Sequence, residues 1–268
     1  MKELIREFFG FGPQGYTREP EGYFSWQHLT FVTVLMVVMV ALAIYFGTTR
    51  RTRDERAKNR VLIWAAILID GFELVKIVLH CVDERDPLGW LIMLPLFLCS
   101  IQLITIPLAA FTKGRVKEAS LDFVFIFGLL GAVLGTYFAG QNYAAYPVLS
   151  FVNVVSGITH SISGFASLYI VLSGMASMKR KNLPIIFAVL GGFSVAAYLA
   201  NVLIDYNYMF LVRGDGTPYD ILFNMVNGNP VIYPILVVGS LALYAALFHL
   251  VFHLIKSKPQ KGAPLSED

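Results

Sequence analysis

The side chains best suited to covalent chemistry in this 268-residue chain are the thiol of Cys99 and the imidazole of His160. Each lies near the middle of an apolar stretch of membrane length, 88–111 for the cysteine and 148–174 for the histidine. Counted from the start of its stretch, Cys99 is 11 residues deep and His160 is 12, or about 16 and 18 Å at the helical rise of ~1.5 Å per residue. The hydrocarbon core is about 30 Å thick, so the two groups fall at one level near its centre when both segments run the same way. A thiol in hydrocarbon is a small, inert packing group unless a base takes its proton. Imidazole is the commonest general base in proteins. Together the two make the nucleophile and base of an acyl-transfer site; apart, one fills space and the other sits in a helix seam.

The elements that position them are membrane spans. Of the residues, 56% are hydrophobic and only 15% charged, against roughly 25% charged in a soluble domain. Apolar runs at 27–47, 61–81, 88–111, 121–140, 148–174, 184–205 and 230–255 each reach the roughly 18 residues at which a spanning helix is the default reading. The expected fold is all-α, a polytopic seven-helix bundle in the cell membrane, with residues 1–26 as an outer segment, 27–255 as the one domain and 256–268 as a cytoplasmic tail. Loop charges set the orientation. Fifteen of the 21 Lys and Arg residues lie in the 1–2, 3–4 and 5–6 loops and the tail, while Lys2, Arg6, Arg18, Arg85 and Arg213 lie on the opposite side. Cytoplasmic loops collect Lys and Arg, so the N-terminus is outside, the C-terminus inside, and the third and fifth spans both descend from the outer face. The net charge of +3 then reflects membrane anchoring and not nucleic-acid binding. Residues 1–22 lack the continuous apolar core of a signal peptide and contain Gly12, Pro13 and Gly15; Leu4, Ile5, Phe8 and Phe9 share a face, as in a short interfacial helix. The tail segment GAPLSED reads as disordered.

Polar residues inside spans line cavities or pair with one another. Asp70, Glu73, Lys76 and His80 form one face of the second span, either a self-neutralising ladder with Glu73 and Lys76 paired at i,i+3 or the polar wall of a cavity. Asn153, Ser156, His160, Ser163 and Ser167 form a narrow stripe on the fifth, either an interhelical seam or a site wall. Gln102 and Thr105 follow Cys99. His28 opens the first span on the outer side, and His249 and His253 close the seventh, where snorkelling to the interface is the expected behaviour. No third metal ligand accompanies that pair, so no metal or other cofactor is expected. Asp205 to Asn229 is the longest loop, and Tyr206 to Leu211 is too aromatic for a solvated segment; it lies in the interface or folds back as a lid. Cys81 sits too far from Cys99 in depth, by about 13 Å, for a disulfide. No GxGxxG, P-loop, HExxH, CxxC or GxSxG pattern is present.

FSWQHL at the first span, LPLFLCS around Cys99, His160, and NYMFLVR from Asn207 to Arg213 resemble the YwaF-like integral membrane family of bacteria, with Asp220, Pro230 and Tyr233 matching its closing segment. That family is similar to eukaryotic transmembrane acyltransferases that remodel ether phospholipids and, more distantly, to androgen-induced-type membrane hydrolases of fatty-acid esters. The resemblance implies Cys99 as a nucleophile carrying an acyl thioester and His160 as its base. Two positions depart from it: Phe97 stands where many relatives have His, and Ser161 where many have Gly. On a continuous helix Phe97 lies about 160° from Cys99.

The leading expectation is thus an intramembrane acyltransferase or acyl-ester hydrolase acting on a membrane phospholipid or other fatty-acyl lipid. Gln102, Asn153 or Ser156 is assigned to the oxyanion and Glu73 to orienting His160; His28, Lys76, His80, Asn201, Asn207, Tyr208 and Arg213 are further cavity or lid candidates. A transporter or channel for a small polar solute, with the two polar faces as pathway walls, is the main competitor, although no inverted repeat is visible. A seven-helix receptor is the third; a retinal pigment lacks its lysine in the seventh span. Nothing in the sequence sets an oligomeric state.

Overall fold

The computed structural model describes residues 2–11, 15–83 and 88–256. Expectations about Gly12, Pro13, Arg85 and the tail beyond Lys256 fall outside those residues. Among the described residues all regular structure is helical. The chain runs α1 (Lys2–Phe9), α2 (Trp26–Arg50), α3 (Glu55–Asp83), a 3₁₀ turn (Gly89–Met93), α4 (Gln102–Phe111), α5 (Gly114–Tyr137), α6 (Gly140–Ala145), α7 (Phe151–Leu172), α8 (Leu183–Ile204), α9 (Tyr219–Met225) and α10 (Ile232–Lys256). Five stretches are helical, long and apolar enough to cross a bilayer: α2, α5 with α6, α7, α8 with the turn before it, and α10. The chain is therefore a multi-pass membrane protein.

Helix starts follow local chemistry. Ser25 caps α2 by accepting from the His28 amide, and Ser150 caps α7 by accepting from the Asn153 amide; each satisfies a donor that a helix N-terminus otherwise leaves open. Pro184 at the start of α8 needs no donor there. Helix α7 is the hub, packed against α2, α3 and α5, with α4 against α5 and α3, and α8 and α10 on the far side of α5. The outward faces of α2 and α10 carry Val34, Val37, Leu243 and Leu247, all exposed from the protein, as lipid-facing side chains are.

The third apolar stretch departs from expectation. It is not one helix over 88–111. Leu94 takes an extended ψ of 148°, as the residue before a proline must when the ring of Pro95 crowds the α region, and helix resumes only at Gln102. Between them the chain turns, closed by the Ile101 amide donating to the Phe97 carbonyl at 3.0 Å. Cys99 lies inside that turn. Its depth cannot be counted along a helix, and the helical angle between Phe97 and Cys99 does not apply.

Candidate functional site

Cys99 and His160 do meet. A cavity of about 40 Å³ is lined by both, with Glu73 and Lys76 from α3 and Thr159 and Ser163 from α7; a water requires roughly 10–15 Å³ on this scale. His160 Nδ1 lies 2.7 Å from the Ser156 carbonyl. A carbonyl only accepts, so Nδ1 carries the proton and Nε2 presents its lone pair in the neutral ring. That Nε2 is buried and has no hydrogen-bond partner. The Cys99 side chain lines the same small cavity as that ring. A soft nucleophile and a base of the correct tautomer thus share one wall of a small polar cavity.

The backbone of α5 makes this approach possible. A Cβ on Gly135 would collide with the His160 ring, one on Gly131 would touch the Cys99 Cβ at 3.5 Å, and one on Gly128 would sit 2.7 Å from the Ser163 carbonyl. Spaced i, i+3 and i+7, the three glycines form one face. The sequence reading passed over them, although small residues at that spacing are the usual mark of close helix packing in membranes. The serine stripe of α7 belongs partly to the same seam: Ser163 Oγ donates to the Gly128 carbonyl and Ser167 Oγ to that of Phe125. Ser161 turns its hydroxyl back onto the Gly157 carbonyl at 2.7 Å, which keeps it out of the cavity.

Several assigned helpers are placed differently. Glu73 does not orient His160, because Ser156 holds Nδ1; its carboxylate instead pairs with Lys76 at 2.7 Å, the i,i+3 arrangement open from sequence. Asn153 is not an oxyanion donor: its amide donates to the carbonyls of Tyr146 and Pro147 at 3.1 and 3.0 Å, closing the α6–α7 connection. Gln102 is fully buried, accepts from Thr105 Oγ1 at 3.1 Å, and has a buried Nε2 with no partner. Ser156 contributes mainly its carbonyl. His80 lies against Gly89 near Cys81, and both cysteines are free. His249 and His253 do not snorkel; both direct Nε2 to the Met178 carbonyl, at 3.0 and 2.8 Å, because that carbonyl lies at a loop folded under α10.

The long outer loop folds back into the protein. Asn201 exchanges hydrogen bonds with the Tyr208 backbone in both directions, 3.0 and 2.6 Å. Asn207 accepts from the Val212 amide and donates to the Arg213 carbonyl, while the Arg213 side chain is exposed on Asp215. Tyr208 is completely buried. None of these side chains lines the cavity; they surround the segment that leads into it. His28, also buried, links α2 to α5 through the Thr136 carbonyl.

The model of the TMEM164 family, a family of transmembrane proteins, matches residues 23–256. No curated protein and no solved structure matches the chain. It belongs to the TMEM164 family.

Proposed function

We propose that this TMEM164-family membrane protein is an intramembrane acyl-transfer enzyme for phospholipids or other fatty-acyl esters, with Cys99 as nucleophile and His160 as base. The observation that carries the reading is the buried, unpartnered Nε2 of His160 in a cavity that Cys99 also lines. The resemblance of LPLFLCS and NYMFLVR to YwaF-like proteins, and through them to ether-phospholipid acyltransferases, supports it.

His160 Nε2 takes the thiol proton, and the thiolate attacks the carbonyl carbon of the lipid ester. The tetrahedral oxyanion collapses, the C–O bond breaks, and the leaving alkoxide takes the proton from Nε2. A Cys99 acyl thioester and a free lysolipid hydroxyl result. In the second half an acceptor hydroxyl, from a lysolipid or water, gives its proton to Nε2 and attacks the thioester. The C–S bond breaks and the thiolate regains the proton. The Lys76 ammonium, which lines the cavity, is the positive group for the oxyanion, and the unpartnered Gln102 amide three residues from Cys99 is a second candidate donor. In this reading α3 and the broken segment with α4 supply two further crossings. That gives seven crossings in the cell membrane, outside N-terminus and cytoplasmic C-terminus, and a lipid ester reaches Cys99 laterally.

The test is an acyl-exchange assay with labelled phospholipid, paired with mass spectrometry for a hydroxylamine-labile acyl group on Cys99. Cys99→Ala and His160→Ala are expected to abolish exchange. Full exchange in both variants removes the Cys–His mechanism.

A further inference from the structure

The turn that carries Cys99 has little of its own to hold it. It is eight residues of non-helical chain between Leu94 and Ile101, inside a membrane, where free backbone groups are costly and irregular segments persist only when protein surrounds them. Besides the α5 backbone at Gly131, which backs the Cys99 Cβ, support comes from more than a hundred residues away. The Tyr208 hydroxyl donates to the Leu91 carbonyl and accepts from the Leu94 amide at 3.1 Å. Those two groups flank the start of the break: Pro95 has no N–H to offer the Leu91 carbonyl, and the Leu94 amide gives up the partner that a helix would have supplied. The Phe97 ring, two residues before Cys99, packs on Tyr206, Tyr208 and Phe210 with centroids 6.3, 5.2 and 5.8 Å away. Phe97 is also the residue whose carbonyl closes the cysteine turn onto Ile101.

The other end of this strut is fixed. Asn201, 3% exposed on α8, clamps Tyr208 through both its amide nitrogen and its carbonyl oxygen. The clamp holds Met209 and Phe210 at φ of 54° and 55°, a left-handed conformation that non-glycine residues adopt only when their surroundings impose it. The chain of contacts runs Asn201, Tyr208, Leu91 and Leu94, Phe97, then Cys99.

We infer that Tyr208 is a positioning residue for the nucleophile: its hydroxyl and ring keep the third segment broken and hold the Cys99 turn against His160. The inference rests on the Cys–His reading for its purpose, but the placement of the thiol is measurable without any acyl chemistry. Phe97 occupies the position where many YwaF-like relatives have His, and here its ring is the contact between strut and turn. The loop 205–211 is then a wedge built into the fold.

The experiment uses the full chain in lipid nanodiscs with Cys81→Ser, which leaves Cys99 as the one thiol. Labelling by N-ethylmaleimide is followed by mass spectrometry. Tyr208→Phe keeps the ring and removes only the hydroxyl. It is expected to slow Cys99 labelling about 10-fold, as His160→Asn does, because the thiol loses its base. It should also lower kcat for phospholipid acyl exchange about 100-fold, with KM within about threefold, as expected for a misplaced reacting group. Loosening of the fold moves labelling the other way, since an exposed thiol reacts faster. Labelling of Tyr208→Phe at or above the parent rate overturns the inference. Should that variant not fold, Phe97→Leu, which keeps the hydroxyl bridge, is held to the same criterion. Slowed labelling in a parent protein that exchanges no acyl groups overturns the acyl-transfer reading and leaves the positioning role standing.

Discussion

Two histidines inside the bundle, His28 and His160, differ in how their ring nitrogens are used. His28, at the start of α2, has both ring nitrogens engaged: Nδ1 accepts from the Phe24 amide at 3.2 Å and Nε2 donates to the Thr136 carbonyl at 3.0 Å. The Tyr143 ring covers its face at 3.9 Å. His160 has its proton on the other nitrogen, committed to Ser156, and an Nε2 with no partner. A saturated imidazole is a strut. An imidazole with one buried nitrogen left open is costly unless something else uses it, and the Cys99 thiol lines the same cavity. On the proposed reading, what separates a base from a structural histidine is the state of the second nitrogen.

The largest test of that contrast removes each ring in turn. His160→Ala is expected to lower acyl exchange per folded molecule about 10²–10⁴-fold, the usual worth of a positioned general base, beyond whatever stability is lost with the Nδ1 bond to Ser156 and the packing of the ring. Gly135→Ala reaches the same ring from behind. Its methyl group would occupy the space of the imidazole, and a displacement of about 1 Å costs about 100-fold. Both are read from exchange rates per folded molecule; a Gly135→Ala protein at full rate would show that the ring's position against α5 is irrelevant to the chemistry.

His28→Ala is expected to behave in the reverse sense. It leaves the Phe24 amide and Thr136 carbonyl without partners, at about 1–3 kcal/mol for each buried group, and opens a space beside Tyr143. Stability falls, measured by thermal unfolding in detergent, while exchange per folded molecule stays at the parent value. A His28→Ala protein that is stable but inactive would break the comparison outright.

This contrast was only partly legible in the sequence. Helix content, the multi-pass class and the boundaries of α2, α7, α8 and α10 follow from apolar length and from caps such as Ser25 and Ser150, because those signals are local. Cys99 and His160 stand out in the sequence because a thiol and an imidazole fall at one counted depth; they do share a cavity, although Cys99 lies in a turn, where a count along a helix does not apply. Pro95 was in plain sight as a reason for the third stretch to break, but the hydrophobic run around it reads as continuous. Tautomer and saturation depend on carbonyls such as those of Ser156 and Thr136, which every residue carries and no pattern marks. Tyr208 stood out only as part of an over-aromatic loop; its partners lie 114 and 117 positions away in the chain. Glu73 was assigned to His160 by face and depth, and local i,i+3 pairing with Lys76 won because it needs no second helix.

That pair supplies a finer test of saturation within the cavity itself. Glu73 and Lys76 are both mostly buried, with side chains 13% and 17% exposed. Removing one charge leaves the other beside the thiol without its counter-ion, which costs more than removing both. A double-mutant cycle with Glu73→Gln and Lys76→Met is expected to show coupling in stability of about 0.5–3 kcal/mol. Lys76→Met alone is expected to be the least stable of the three. A coupling of zero would make the two residues independent cavity walls and not a saturated pair.

The smallest effect lies where saturation meets water. Glu7, on α1, accepts from the Thr17 hydroxyl at 2.6 Å and from the Arg18 and Thr17 amides at 2.9 and 3.1 Å. The Thr17 hydroxyl first, then those amides, hold its carboxyl below the ordinary range. A depressed folded value means that the stabilisation is present above the unfolded carboxylate range and is lost as pH falls through the folded one. Because the carboxyl is open to solvent, screening keeps the contribution small. The expected outcome is local: hydrogen exchange at the Thr17 and Arg18 amides accelerates, beyond its intrinsic pH dependence, as pH falls below about 4, the ordinary carboxylate value. Glu7→Gln removes that extra acceleration. Neither change should alter acyl exchange at neutral pH, since α1 packs Phe8 and Phe9 on Phe151 at the start of α7, and no residue of α1 lines the cavity. An exposed group can be as fully bonded as His28 and still matter little; it is burial together with an open valence that makes His160 different.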